Sequence, residues 1–346
     1  MSNYPRITFE RGSGPTREVH MNILVTGGAG YIGSVLVELL AKRGHSVVVF
    51  DNLSTGHRGA VYSSAQLRTG DLADPGEIDR LFSENMFNCV MHLASPSLVE
   101  ESLRSPEKYY RNGLVCGLNL LSAMVRYGAK RIVFSSSASV YGEPESVPIT
   151  EEASTHPVNP YGECKLAFER MLHWFKVAHG ISYISFRYFN AAGATETHGE
   201  LHRPETHLIP LVLRTARGQR EAVEIFGTDY PTEDGTCVRD YVHVADLAEA
   251  HILGMEALIS GKSGTFNLGN GNGYSVKEVV TVASEVVGVE IARRTVGRRA
   301  GDPARLVASS ERARSELGWI PKRTSLREIV ESAWNWMKAF PSGYAG

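Results

Sequence analysis

The chain has 346 residues, of which 42% are hydrophobic and 21% are charged, and its formal net charge at pH 7 is −2. This length and composition suffice for one large domain or for two domains in close contact. The charge balance gives no basic face that would favour a nucleic-acid partner, and no apolar run reaches the about 18 residues that span a bilayer.

Residues 1–20 are polar and lack the apolar stretch of a secretory signal. Two interpretations stay open for them: a disordered extension, or an upstream start codon with the fold beginning at Met21.

From Asn22 onwards, short apolar runs alternate with segments whose apolar residues recur at helical spacing. The runs are typical of buried parallel strands, and the periodic segments are typical of the helices that connect them. The predicted strands are Asn22–Thr26, 46–50, 90–94, 131–135 and 181–189, and the predicted helices are 31–43, 105–127 and 160–179. Since such connections are right-handed, the pattern predicts an α/β fold with a Rossmann-type doubly wound parallel sheet.

The regular alternation ends near residue 190, where Gly, Pro, His and Thr cluster. A loop is predicted at 227–236, and helices are predicted near 244–258, 275–287 and 326–340. We therefore predict a first domain at 21–190, to which segments from about 225–260 return, and a smaller α/β lobe at 191–346.

A glycine-rich turn, Gly28-Ala-Gly-Tyr-Ile-Gly33, lies between the first predicted strand and the first predicted helix. In that context, backbone N–H groups and the helix N-terminus can hold a pyrophosphate. Asp51 follows the second strand, where its carboxylate would accept the ribose hydroxyls of adenosine and repel a 2′-phosphate. These residues predict NAD rather than NADP, and Asp71, after the next apolar stretch, is a candidate adenine contact.

Tyr161 and Lys165 stand at i and i+4, which places both on one face of the helix that Pro160 begins. The run Ser135-Ser136-Ser137 ends the preceding strand, at the edge of the sheet where ligands bind. A free phenol has a pKa of about 10 and is a weak base at neutral pH. We expect a nearby ammonium and a bound nicotinamide cation to favour the phenolate of Tyr161.

Four segments (27–33, 135–142, 161–165 and 187–190) resemble the extended short-chain dehydrogenase/reductase superfamily. Within it, 225–246 (IFGTDYPTEDGTCVRDYVHVAD), 266–275 and 298–302 are similar to the UDP-glucose 4-epimerase family, and the similarity extends from Met21 to about Trp336. The resemblance implies reversible C4 epimerisation of UDP-glucose and UDP-galactose in galactose metabolism, with bound NAD and a transient 4-keto sugar. It also implies a homodimer, with 105–127 and 160–179 as the candidate interface helices.

The resemblance assigns roles residue by residue. Ser137 and Tyr161 would contact the sugar 4-hydroxyl, and Lys165 would hold the nicotinamide ribose. The cofactor-contacting positions match Gly27, Gly30, Tyr31, Ile32, Gly33, Asp51, Asn52, Asp71, Leu72, Leu93, Ala94, Ser95, Asn112, Tyr161, Lys165, Tyr188 and Phe189. The positions around the UDP-hexose match Ser137, Asn190, His207, Leu208, Phe226, Arg239, Tyr241, Arg299 and Asp302.

The chain departs from the family pattern at three positions. Ser97 stands where many members have lysine, so one cationic cofactor contact is in doubt, and His207 stands where some have asparagine. Leu306 falls at a position where a small residue accompanies N-acetyl sugars and a tyrosine accompanies plain hexoses. Leucine is neither small nor a tyrosine, so this position does not indicate which UDP-sugars are accepted.

The sequence also bears on several alternative functions. A 4,6-dehydratase needs an acidic pair at Ala138 and Ser139, and a UDP-sugar decarboxylase commonly has a glutamate at Ser139, so the sequence disfavours both. Epimerases of UDP-N-acetylglucosamine, UDP-glucuronate or UDP-pentoses stay open. A non-catalytic dinucleotide sensor is disfavoured because such proteins often lose the Tyr/Lys pair.

Overall fold

The structure is a computed structural model that describes residues 20–299 and 302–345. The predicted N-terminal extension therefore lies, apart from its last residue, outside the described residues. Within the described ranges, no helix has the length and apolar character needed to cross a bilayer.

The described part of the chain contains thirteen strands and eleven α-helices. The strands are β1 (Asn22–Thr26), β2 (Ser46–Asp51), β3 (Gln66–Thr69), β4 (Cys89–His92), β5 (Arg131–Ser137), β6 (Ser182–Tyr188), β7 (Asn190–Ala192), β8 (Val223–Phe226), β9 (Val238–His243), β10 (Gly264–Leu268), β11 (Gly273–Ser275), β12 (Arg293–Val296) and β13 (Arg305–Leu306). The helices are α1 (Tyr31–Lys42), α2 (Pro75–Glu84), α3 (Val99–Arg104), α4 (Pro106–Tyr110), α5 (Cys116–Tyr127), α6 (Pro160–His179), α7 (Leu208–Ala216), α8 (Val244–Ile259), α9 (Val276–Val287), α10 (Glu311–Leu317) and α11 (Leu326–Ala339).

Seven parallel strands form the central sheet in the order β10-β6-β5-β4-β1-β2-β3. This confirms the predicted doubly wound parallel sheet. The strand order reverses next to β1, and the crevice at the carboxyl end of such a reversal is where ligands bind. The segments that return to the sheet are α8 and β10, and β10 begins just beyond the predicted range of 225–260. The division into two domains at residue 190 stays a prediction.

Apolar side chains cover the sheet on both faces because successive residues of a strand point to opposite sides. Ile23 and Val25 pack with α1 and α8, whereas Leu24 between them packs with α2, α5 and α6. Both faces are therefore buried at the centre of the sheet, which explains why its central strands read as continuous apolar runs.

The helix predicted over 105–127 is present as one uninterrupted helical run, which consists of α4, a π-helical segment at Arg111–Val115 and α5. Gly113 lies in the π segment, where glycine lowers helical preference. A Cβ at Gly113 would lie 2.9 Å from the Cβ of Cys164, so the glycine also allows α6 to approach closely.

The chain after β6 builds smaller sheets and a separate core. In these sheets β9 pairs with β7, β11 and β13, and β8 pairs with β12. Side chains of α7, α9 and α11 form the core beside them, for example Val212, Val279 and Ile329.

Candidate active site

The glycine-rich turn follows β1, beside the strand reversal. Gly27 has a φ of +74°, and a Cβ there would lie 2.5 Å from the backbone nitrogen of Ala94. A Cβ at Gly33 would lie 2.2 Å from the carbonyl oxygen of Gly27. At Gly30, which precedes α1, no side-chain cap bonds the first N–H groups of the helix. Those groups are thus available to a phosphate, and the turn fits a dinucleotide.

The acids predicted to contact adenosine lie at the carboxyl ends of β2 and β3. Asp51 is buried, and its carboxylate accepts hydrogen bonds from Ala29 N (3.0 Å) and Leu53 N (2.8 Å). Burial raises the pKa of Asp51, and these two bonds oppose the shift. Asn52 Nδ2 donates to Asp71 Oδ2 at 3.0 Å, so the structure brings these three predicted residues together.

The other predicted cofactor positions differ in their surroundings. Tyr31 donates its hydroxyl to Gly193 O at 2.5 Å. Asn112 donates Nδ2 to Lys108 O at 2.8 Å, within its own helical segment. The remaining positions are the core residues Ile32, Leu72 and Leu93, the loop residues Ala94 and Ser95, and Tyr188 and Phe189 at the end of β6. Ser97, the departure from the family pattern noted above, is exposed.

Ser137, Tyr161 and Lys165 come together where β5 ends and α6 begins. Asn159 caps α6 by accepting from Gly162 N, and Pro160 opens the helix, which sets Tyr161 in its first turn. Ser137, the last residue of β5, lies near the Tyr161 phenol, and its Oγ accepts a hydrogen bond from Ser139 N at 3.2 Å. Lys165 Nζ donates to Ser135 O at 2.9 Å and lies 5.6 Å from the centroid of the Tyr161 ring.

Burial dominates the electrostatics of this group. It raises the pKa of Tyr161, and the nearby Ser137 hydroxyl opposes that shift. Burial also lowers the pKa of Lys165, to about 8. In the chain by itself Lys165 is directed at a backbone carbonyl and not at the phenol oxygen. The expectation, which includes a bound nicotinamide cation, stays a prediction.

A buried polar network supports the catalytic elements, and the sequence analysis did not find it. Arg187 Nε and Nη2 bind the two carboxylate oxygens of Glu169 (3.0 and 2.6 Å), and Ser136 Oγ donates to Glu169 at 2.5 Å. Tyr141 accepts from Arg187 at 3.0 Å and donates to Asn267 at 2.7 Å. The available signal was Glu169 at i+4 from Lys165, on the same buried face of α6.

Two arginines predicted to contact UDP, Arg239 and Arg299, already have partners. The guanidinium carbon of Arg299 lies 3.8 Å from the centroid of the Phe226 ring. Arg239 forms an ion pair with Asp302 and donates to Val238 O at 2.8 Å. These contacts hold the planar guanidinium groups, which suit a diphosphate, in fixed orientations.

Asn190 and Tyr241 lie opposite each other in the pairing of β7 with β9, and Asn190 Nδ2 donates to Asp240 O at 3.2 Å. Tyr241 is buried, and burial raises its pKa. The structure thus brings these two predicted sugar-nucleotide residues together on adjacent strands.

His207 directly precedes α7, which Leu208 opens. Its ring lies in a group that we call the Glu/His cluster, formed by Glu200, His202, Glu205 and His207. Burial lowers the pKa of His202, but the two carboxylates outweigh it and raise that pKa to about 10. The sequence-based predictions do not include this cluster, although the spacing E-x-H-x-x-E-x-H is visible in the sequence.

Comparisons with known proteins agree with this geometry. The sequence profile of the "NAD dependent epimerase/dehydratase family" matches residues 23–269. A UDP-glucose 4-epimerase of Halalkalibacterium halodurans is 53% identical over 94% of this chain and 98% of the relative. A crystal structure of a UDP-glucose 4-epimerase is 51% identical, with a TM-score of 0.91 over 94% of this chain and 100% of that one. The enzyme of that name from Bifidobacterium longum, solved with NAD⁺ and UDP, is 36% identical, with a TM-score of 0.89 over 93% of this chain and 100% of that one.

Proposed function

This chain belongs to the NAD dependent epimerase/dehydratase family, and from that premise we propose that it is a UDP-glucose 4-epimerase acting in galactose metabolism. It inverts C4 of UDP-glucose and UDP-galactose reversibly, through a transient 4-keto sugar. The observation that carries the proposal is the convergence of Ser137, Tyr161 and the buried Lys165 where β5 ends and α6 begins, with Lys165 Nζ 5.6 Å from the centroid of the Tyr161 ring.

The residues divide the work between proton transfer and positioning. When bound, NAD supplies the reversible oxidation at C4. Tyr161 takes the proton of the 4-hydroxyl and later returns it, while Ser137 holds both the hydroxyl and the phenol in line. Lys165 holds the nicotinamide ribose and keeps a cationic group beneath the Tyr161 ring, 5.6 Å from its centroid.

NAD binds along the glycine turn and the acids at the ends of β2 and β3. Two observations support this. A Cβ at Gly27 or Gly33 would clash with neighbouring backbone atoms, and no side chain caps the start of α1. Asp51, with a buried carboxylate, is the candidate partner of the adenosine ribose.

The nucleotide part of the substrate provides the anchor. The 4-keto sugar must turn over in the pocket while UDP stays bound, so binding energy should concentrate on groups remote from C4. Phe226, Arg239 and Arg299 suit the uracil and diphosphate, because a ring and two guanidinium forks are already held in place there.

Related activities are less well supported. A 4,6-dehydratase would need carboxyl groups at Ala138 and Ser139, but both residues lie in the 3₁₀ turn after β5 and neither can ionise there as an acid. The range of UDP-sugars stays open towards N-acetyl, uronate and pentose forms. Leu306, which packs near Ala138 and Phe189, is the residue whose size we expect to limit it.

A turnover panel tests the proposal. The purified chain is assayed with UDP-galactose, UDP-N-acetylglucosamine and UDP-glucuronate, and we expect UDP-glucose as the product from UDP-galactose. Tyr161→Phe should lose about 10²- to 10⁴-fold in kcat with little change in substrate affinity, because only proton transfer is removed. Tyr110→Phe, at a tyrosine that is 44% exposed on α4, is the matched control and should retain turnover. A Tyr161→Phe variant with near-normal kcat, or a wild-type chain that leaves UDP-galactose unchanged, would refute the proposal.

We also propose a homodimer. Exposed apolar side chains concentrate on α3, α4, the π segment and α5, namely Leu103, Tyr110, Val115 and Leu118. Such a patch is typical of an interaction surface. Leu118→Glu should give a monomer in light scattering, whereas Val289→Glu, at an equally exposed valine outside the patch, should leave the dimer intact. A wild-type monomer would contradict the proposal.

The compartment that fits these residues is the cytoplasm. All four cysteines are free and buried in the structure, and buried free thiols persist in a reducing environment.

A further inference from the structure

The Glu/His cluster has the composition and spacing of a metal site. We propose that Glu200, His202, Glu205 and His207 bind one divalent transition-metal cation, and that Zn²⁺ is the ion their ligand atoms suit best. Each residue offers one nitrogen or oxygen atom, and these four atoms all lie within 4.8 Å of one another. Two imidazoles with two carboxylates form a ligand set that zinc accepts, whereas Mg²⁺ and Ca²⁺ prefer oxygen alone.

Most of the distances between the ligand atoms are close to those of a tetrahedral site. With metal–ligand bonds of about 2.0–2.1 Å, neighbouring ligand atoms of a tetrahedral zinc are about 3.4 Å apart. His202 Nδ1 lies 3.2 Å from Glu200 Oε1 and 3.7 Å from Glu205 Oε1. His207 Nδ1 also lies 3.7 Å from Glu205 Oε1 and contacts Glu200 Oε1. Three of these pairs are thus close to the tetrahedral spacing, whereas His207 Nδ1 and Glu200 Oε1 would have to move apart to bind one ion.

One ligand nitrogen indicates that the cluster is more than an ion-pair network. His202 Nδ1 is buried and has no hydrogen-bond partner among the described residues, although a carboxylate oxygen of Glu200 lies 3.2 Å away. The ring N–H is not aligned with that oxygen, whereas a cation held between the two carboxylates would meet the ring nitrogen once its proton is released.

Backbone hydrogen bonds fix the orientation of the Glu205 carboxylate. The side chain of Glu205 is fully buried, and it accepts hydrogen bonds from the backbone N–H groups of Thr206 (2.9 Å), His207 (3.0 Å) and His202 (3.3 Å). Such bonds orient a metal ligand before the ion arrives. Two carboxylates this close repel each other, and one divalent cation with two neutral imidazoles balances their charge.

The site would be structural. Four protein ligands leave no open position for a reacting molecule. The ring of His202 meets Tyr31 edge-on at 6.4 Å, and His207 leads directly into α7. A bound ion would therefore fix the loop over residues 200–207 between α1 and α7. This inference does not rest on the proposed epimerase activity, and metal binding is measured without any sugar nucleotide.

Metal titration of the full chain tests the inference. Protein without a histidine tag is treated with a chelator, exchanged into metal-free buffer and titrated with ZnCl₂ in a calorimeter, while CoCl₂ is followed by visible absorption. We expect one equivalent of Zn²⁺ per chain, a higher melting temperature that EDTA reverses, and the intense visible bands of four-coordinate Co²⁺. His202→Ala and Glu200→Gln should each lose at least tenfold in affinity. His173→Ala, at an exposed histidine of α6, is the matched control and should bind like the wild type.

Two results would overturn the inference. One is a wild-type chain with no stoichiometric Zn²⁺ and no four-coordinate Co²⁺ spectrum. The other is equal Zn²⁺ affinity in the wild type, His202→Ala and Glu200→Gln, which would assign the binding to other surface groups. Should both variants fail to fold, the wild-type Co²⁺ spectrum alone decides. None of these outcomes bears on the turnover of UDP-galactose.

Discussion

Glu169→Gln tests whether the buried network behind the active site holds the catalytic residues in place. Arg187 and Glu169 are 7% exposed each, and three hydrogen bonds from Arg187 and Ser136 at 2.5–3.0 Å end on the carboxylate. Burial lowers the pKa of Arg187, but Glu169 outweighs it and raises that pKa. The substitution therefore leaves a charged guanidinium buried without a counter-ion, which costs about 3–5 kcal/mol of unfolding free energy.

The same change should reduce turnover. Ser136 precedes Ser137, Glu169 lies one turn after Lys165, and Arg187 precedes Tyr188, so the network joins β5, α6 and β6. A displacement of about 1 Å between reacting groups can reduce rates on the order of 10²-fold. We expect a loss of that order in kcat and a small change in KM.

Urea unfolding and steady-state assays of the variant measure both effects. Glu163→Gln is the matched control, because Glu163 is an exposed glutamate on the same helix, and its unfolding free energy should stay within about 0.5 kcal/mol of the wild type. A Glu169→Gln variant that loses less than about 1 kcal/mol relative to this control would refute the reasoning.

Three further predictions follow from single residues. Gly33→Ala should yield protein purified without NAD, because its Cβ would lie 2.2 Å from Gly27 O; NAD at wild-type occupancy in released extracts would contradict this. Lys165 has a pKa of about 8 in the folded chain and of about 10.4 when unfolded. Between these values the unfolded state holds the extra proton, so the stability of the NAD-free protein should rise with pH by about 3 kcal/mol. An equal rise in the urea midpoints of Lys165→Met would show that Lys165 does not cause the effect. Leu306→Ser should shift the ratio of kcat/KM towards UDP-N-acetylglucosamine by about tenfold or more, and an unchanged ratio would remove this residue from substrate selection.

Local periodicity was sufficient to predict the elements that carry the cofactor. The limits of β1 were predicted correctly, and those of α1 to within a residue, because apolar runs, a glycine turn and helical spacing lie next to one another in the sequence. The strand β3 was not predicted, since its sequence QLRT lies mostly exposed at the sheet edge and carries little apolar signal. The position of β10 in the sheet depends on pairing with β6, which no local pattern encodes.

Prediction of the site residues was limited in the same way. Tyr161, Lys165 and Ser137 were found because each belongs to a short motif on one strand or helix. The network around Glu169 was missed because its partners are distant in sequence: Ser136 is 33 residues from Glu169, and Tyr141 is 126 residues from Asn267. The directions of the pKa shifts of Tyr161 and Lys165 could not be predicted from the sequence, because burial dominates them and residue spacing does not reveal burial.

The most direct test of the central claim follows the atom at C4. UDP-galactose labelled with deuterium at C4 is incubated with the purified chain, and the product is analysed by NMR and mass spectrometry. The account predicts UDP-glucose that retains the deuterium at C4, with no exchange into solvent and no added NAD needed, because C4 is oxidised and reduced within one pocket. Loss of the label to water, or a product unchanged at C4, would contradict it.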